Sequence, residues 1–167
     1  GGNPKAPDNA KSVRGIAVRV SDGSERLDWV FVSAPHFFAQ TPAQFVEFLK
    51  VRAPDPATGR MNADAIAAFS KANPATTKQG AYLAGQPVPA SFGTVPYWST
   101  NAFIATNAAA KTQPLRWRFE PVAGRVGLTE DEAKAKGRDF LRAEFVERVG
   151  KGPVAFNVIA QLALPAD

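Results

Sequence analysis

At 167 residues the chain is long enough for one domain that buries most of the surface its unfolded form exposes, and 45% hydrophobic with 21% charged residues is the balance of a globular protein. It has no cysteine, which excludes disulfides, thiolate metal sites and thiol catalysis, and no apolar run approaches the ~20 residues of a membrane-spanning helix. The net charge of +5 would permit an anionic partner, but Lys and Arg are spread along the chain and interleaved with acids, as in Glu130-Asp131-Glu132 followed by Lys134, Lys136 and Arg138; this is a mixed solvated surface, and no nucleic-acid footprint.

Ser12 to Val20 is rich in β-branched residues and alternates imperfectly. Asp22-Gly23-Ser24 then turns the chain into Leu27-Asp28-Trp29-Val30-Phe31-Val32, which predicts a hairpin with a loop longer than two residues. The second run is apolar nearly throughout, so both of its faces are expected to be covered. Thr41-Pro42 opens a helix, a cap-competent residue followed by proline at the first helical position, with Phe45, Phe48 and Leu49 on one face. Ala53-Pro54-Asp55-Pro56 ends it. Asn62 caps a second helix carrying Ile66 and Phe69, closed by Asn73-Pro74, and residues 75–85 have room for a further helical turn or two. Gln86 to Pro96, with three prolines, reads as loop or extended chain.

Strands return at Ala102–Ala105 and at Leu115-Arg116-Trp117-Arg118-Phe119, the latter alternating apolar and basic residues as a half-exposed strand does. Thr129 with Glu132 is a capping box, and the helix it opens is expected to run to about Val149, where Gly150-Lys151-Gly152-Pro153 breaks it. Val154 to Leu164 reads as a final long strand. Strands separated by blocks of helix without regular alternation predict an α+β fold with a largely antiparallel sheet, curved or closed into a barrel.

Generic catalytic chemistry is scarce. His36 is the single histidine, with no second His or Cys to share a metal and Asp28 the nearest carboxylate in sequence, so it reads as a packed or partly exposed residue. Paired carboxylates occur only on the first turn of the 129–149 helix, where they match the helix dipole. Phe31, Phe37, Phe38, Phe45 and Phe48 crowd into eighteen residues, as core or as the wall of a cavity for a large flat apolar ligand.

That same segment resembles the haem catalases. Arg14-Gly15-Ile16-Ala17-Val18-Arg19 is similar to their Arg-Gly-aromatic-Ala-Val-Lys strand, and Asp28 through Phe38 is similar to Asp-Leu-Val-Gly-Asn-Asn-Thr-Pro-x-Phe-Phe. Thr41-Pro42-Ala43-Gln44-Phe45 follows the pattern Asp-Pro-x-x-Phe. The later agreement is looser; Gly127-Leu128-Thr129 and the closing strand resemble the end of the barrel region in the short bacterial catalase-related peroxidases.

The resemblance implies an antiparallel β-barrel holding haem b with helices packed outside, incomplete here. It also implies a single domain over 1–167 that is a piece of a longer chain, and a homo-oligomer. The implied activity is a haem-dependent peroxidase reducing hydrogen or organic peroxides with a small reductant. Two alternatives remain open: a non-enzymatic barrel binding haem or another apolar ligand, and a basic partner-binding module. Among the site residues, the resemblance puts Phe45 on the distal haem face, Val30 in the pocket lining, Phe37 where the channel narrows and Val32 where the family carries a distal asparagine. Ser33 is the nearest polar substitute. It implies no catalytic or iron-binding residue within the chain: the family's distal histidine precedes this stretch and its iron-binding tyrosine, with an arginine four residues ahead, follows it. Lys78 and Gly93 stand at that spacing before Tyr82 and Tyr97.

Overall fold

The β1 strand (Gly15–Ser21) and β2 (Arg26–Val32) pair antiparallel in register from Gly15 opposite Val32 to Ser21 opposite Arg26. The turn between them is held by Asp22, whose carboxylate accepts from the amides of Ser24 (2.9 Å) and Glu25 (2.8 Å), while Gly23 takes the left-handed φ of +97° that glycine tolerates. These observations come from a computed structural model that describes residues 6–164. Its residues divide into two compact units, 6–35 with 86–164, and His36–Gly85.

In the first unit β2 continues into β4 (Tyr97–Ser99), β4 into β6 (Thr112–Pro121), and β6 also pairs β5 (Phe103–Thr106) and β8 (Phe156–Leu162), every pairing antiparallel. Two short strands, β3 (Val88–Pro89) and β7 (Gly127–Leu128), pair separately. The fold is therefore α+β with antiparallel sheets, as expected. A closed barrel is not what the described residues form: the six-stranded sheet runs β1-β2-β4-β6-β5 with β8 also on β6, and no pairing joins β1 to β5 or β8.

Side chains of alternate residues on β2 and β6 meet over one face of the sheet. Phe31 and Phe119 stack at 4.2 Å between ring centroids, with fully buried Tyr97 completing the core and Trp29, Trp117 and Phe156 packed against it. The expectation that both faces of β2 are covered fails. Phe31 is buried, whereas Val30, on the other face, is 66% exposed. An apolar run reads the same from either side, and only a packing partner decides which side is buried.

The helix expected over 129–149 is two helices, α4 (Glu130–Ala135) and α5 (Phe140–Lys151). The capping box of α4 is present, Thr129 accepting from the Glu132 amide and Glu132 accepting from the Thr129 amide. Lys136 then turns extended at Gly137-Arg138, and α5 starts without a cap of its own. Asp8 supplies one from the far end of the chain: its carboxylate accepts from the Leu141 amide at 2.9 Å. The 86–96 stretch, expected as loop or extended chain, contains β3 and a 3₁₀ turn at Phe92–Thr94.

The second unit is helical. α1 (Pro42–Lys50) is capped by Thr41, α2 (Ala63–Ala72) by Asn62, each side chain accepting the amide three residues on. A 3₁₀ turn at Pro74–Thr77 leads into α3 (Lys78–Ala84), the further helical turns foreseen for 75–85.

Candidate functional site

Within the second unit the aromatic run folds into a chain of rings. Phe37 and Phe45 lie nearly parallel, 21° apart at 6.3 Å, and Phe38 packs against both at 4.5 and 5.0 Å. Phe38 in turn meets Phe48 at 4.4 Å, and Phe48 meets Phe69 of α2 edge-on at 6.3 Å. Helical spacing puts Phe45 and Phe48 on one side of α1, and the preceding segment brings Phe37 and Phe38 back over them. The guanidinium of Arg52 covers the Phe48 ring at 3.6 Å and donates to the Phe48 carbonyl at 3.3 Å. Gln44 ties the start of α1 to the close of α2, accepting from the Gln40 amide (2.8 Å) and donating to Asn73 (2.9 Å). Phe37 keeps 38% of its surface exposed, so the Phe37–Phe45 pair presents an open apolar plane instead of a sealed core.

His36 is exposed, and its carbonyl accepts from Gln79 at 2.9 Å.

In the first unit Val30 and Val32 stand on the face of β2 opposite Phe31, the face that also carries the Arg19–Asp28 pair. The structure thus brings Phe37 together with Phe45 in one unit, and Val30 together with Val32 in the other. Ser33, the polar residue nearest the asparagine position, is buried and engaged: its hydroxyl oxygen accepts from the Arg14 amide at 2.8 Å, while its own amide donates to the Arg14 carbonyl at 2.9 Å.

Gly93, and no arginine, stands four residues ahead of Tyr97 in the sequence. A cation does approach Tyr97, but through space: Arg14, itself buried, with its guanidinium donating to Ser12 Oγ and to the carbonyls of Asp8 (2.5 Å) and Ala10 (2.9 Å). Its field would favour the phenolate, yet burial outweighs it and pushes the Tyr97 phenol well above its ordinary pKa. The hydroxyl donates to the Phe92 carbonyl at 2.9 Å, as only a protonated phenol can. Burial also lowers the Arg14 pKa, against the opposing pull of Asp8 and Tyr97. Arg14 and Tyr97 are structural residues that sequence reasoning did not pair, and no local spacing signals it. Among the described residues no group of His, Cys, Asp and Glu is placed to hold a metal.

The near-parallel Phe37–Phe45 pair is an apolar plane of the kind that suits a flat apolar molecule. The antiparallel α+β frame matches known proteins over its whole length. The sequence model of the catalase family matches residues 1–166, and the chain belongs to that family. It is 33% identical over its whole length to a catalase-related peroxidase of Synechococcus elongatus and 31% identical, over 99% of its length, to one of Mycolicibacterium paratuberculosis. The chain spans 50% and 52% of those relatives. Catalase A from Saccharomyces cerevisiae superimposes with a TM-score of 0.80 at 23% identity, over 100% of this chain and 36% of that one, which establishes the fold.

Proposed function

We propose that this chain is the distal wall of the haem pocket in a haem-dependent peroxidase related to catalase, reducing hydrogen or organic peroxides at the expense of a small reductant. In this reading both units belong to one catalase-like domain of a longer, homo-oligomeric protein, and haem b is the cofactor. The near-parallel Phe37–Phe45 pair, left partly open at the surface, carries the proposal in a chain whose full length matches the catalase family.

Haem, when bound, would supply the iron for breaking the peroxide O–O bond. The chain's own residues do the rest. By the resemblance, Phe45 would stack on the macrocycle and Phe37 would narrow the approach, while Val30 and Val32 would supply an apolar, water-poor lining. The iron ligand and the histidine that moves the proton are assigned to sequence outside these residues. Val32 offers a peroxide no hydrogen-bond donor, and the engagement of Ser33 with the Arg14 backbone supports the view that no neighbour replaces it. Catalase-type turnover positions and polarises a second peroxide, so it should suffer more from a missing donor than oxidation of a separate reductant does.

The test compares Phe45→Ala with Phe69→Ala in the full-length protein. Truncating a buried phenylalanine costs roughly 3–5 kcal/mol; both rings are half-buried, so both variants should lose somewhat less stability. Only Phe45→Ala should also lower the haem retained per folded molecule. Equal haem content in the two variants overturns the assignment of Phe45, and stoichiometric haem without peroxide-dependent dye oxidation moves the protein to the non-enzymatic alternative.

A further inference from the structure

The face of the sheet that holds the core is filled along only part of its length. Phe31, Phe119 and Tyr97 close it at one end. Beyond them Trp29 and Trp117 stack at 5.3 Å, 23° from parallel, and past this pair the sheet carries a groove of about 470 Å³, well inside the ~300–1,000 Å³ of small-molecule sites. The indoles form its floor, and Leu27, Leu115 and Phe103 its walls. Ser99 is fixed beneath the rim, donating to the Asn101 carbonyl (2.8 Å) and accepting from the Trp117 amide (3.1 Å).

The only charged lining residue is Asp28, and Arg19 neutralises it through two hydrogen bonds of 2.6 and 2.9 Å, which hold the Asp28 pKa below its ordinary value. At the rim Thr100 and Asn101 add a hydroxyl and a neutral amide. A slot with an indole floor, apolar walls and an uncharged polar rim is complementary to a flat, neutral aromatic molecule bearing one polar group, and it offers nothing to an anion.

We infer that this groove binds the aromatic reductant, a neutral phenol or arylamine, of the peroxidase reaction; the inference rests on the peroxidase reading above. The position supports it. Val30, assigned to the haem wall, lines the groove beside Trp29 and Phe31 of the same strand. A reductant in the groove would therefore sit beside a residue assigned to the haem wall. The reaction balances as one hydrogen peroxide and two phenols giving two waters and two phenoxyl radicals, with an alcohol replacing one water for an organic hydroperoxide. Each phenol loses one electron and one proton as the O–O bond breaks.

The experiment uses the haem-loaded full-length protein and guaiacol. Guaiacol should quench tryptophan fluorescence in the absence of peroxide. Ile104→Asp, at a groove residue that is 73% exposed, should weaken that binding about tenfold or more by setting a carboxylate against the apolar slot. The same variant should lower guaiacol turnover relative to that of ferrocyanide, an anionic donor, by a similar factor. Trp117→Phe provides a second variant should Ile104→Asp fail to fold, and it should weaken guaiacol binding in the same direction. Wild-type guaiacol affinity and an unchanged guaiacol-to-ferrocyanide ratio in both variants overturn the inference while leaving the peroxidase reading intact. Absence of guaiacol quenching in the wild-type protein overturns it too. Groove-dependent binding without any peroxide-dependent oxidation leaves the binding site standing and removes the peroxidase reading.

Discussion

Replacing Tyr97 by phenylalanine separates a structural tyrosine from an iron ligand. The ring is fully buried between Phe119 and Phe156, 5.9 Å from the latter, and Tyr97→Phe leaves that packing in place. What is lost is the hydrogen bond to the Phe92 carbonyl, leaving an acceptor in an apolar setting with a void smaller than a water molecule. An orphaned buried acceptor costs about 1–3 kcal/mol. With a urea slope of about 2 kcal/mol per molar, the midpoint should fall by roughly 0.5–1.5 M. Haem content and its absorption spectrum in the full-length protein should not change, because the ring is fully buried in the core and its hydroxyl is engaged by the Phe92 carbonyl. The opposite pattern refutes the reasoning: haem binding abolished while stability is unchanged or increased, as expected when a buried phenolate is removed.

Gly127→Ala should destabilise by about 1–3 kcal/mol, because the new Cβ would sit 2.3 Å from Pro87 Cγ, a ring atom with little freedom to move, beside the β3–β7 pairing; thermal denaturation measures it, and an unchanged midpoint would show that residues 87–89 can shift freely. Acid should unfold the protein progressively. Asp22 is held at about 2, against an ordinary 3.8, by the amides of Glu25 and Ser24, and Glu120 is lowered by its hydrogen bond to Arg125 and Glu132 by the Thr129 amide. These carboxyls bind fewer protons folded than unfolded, so the stability they confer is present above the ordinary carboxylate range and is lost as pH falls through it toward about 2. Urea midpoints measured at descending pH check this, and a flat profile below pH ~4 contradicts it.

The helix starts were legible in the sequence, because a cap is a hydrogen bond between residues three apart: Thr41, Asn62 and Thr129 each accept the amide that their spacing predicts. The β1–β2 hairpin was legible for the same reason, since Asp22 and Gly23 build its turn locally. Of the candidate site, the crowding of Phe37, Phe38, Phe45 and Phe48 was readable from their spacing and proximity along the chain, and the ring contacts follow from it.

Burial was not legible, because it depends on what arrives from elsewhere. The face of β2 that is covered is the one that Phe119, more than eighty residues on, packs against, leaving Val30 on the open side. Three-residue β4 carries too few side chains to show a period, yet it joins β2 to β6 and contains the fully buried Tyr97. The division of α4 from α5 depends on Asp8, which caps the second helix across 133 residues. A cap from that distance leaves no trace in the local pattern, so only the tertiary structure could decide where one helix ends and the next begins.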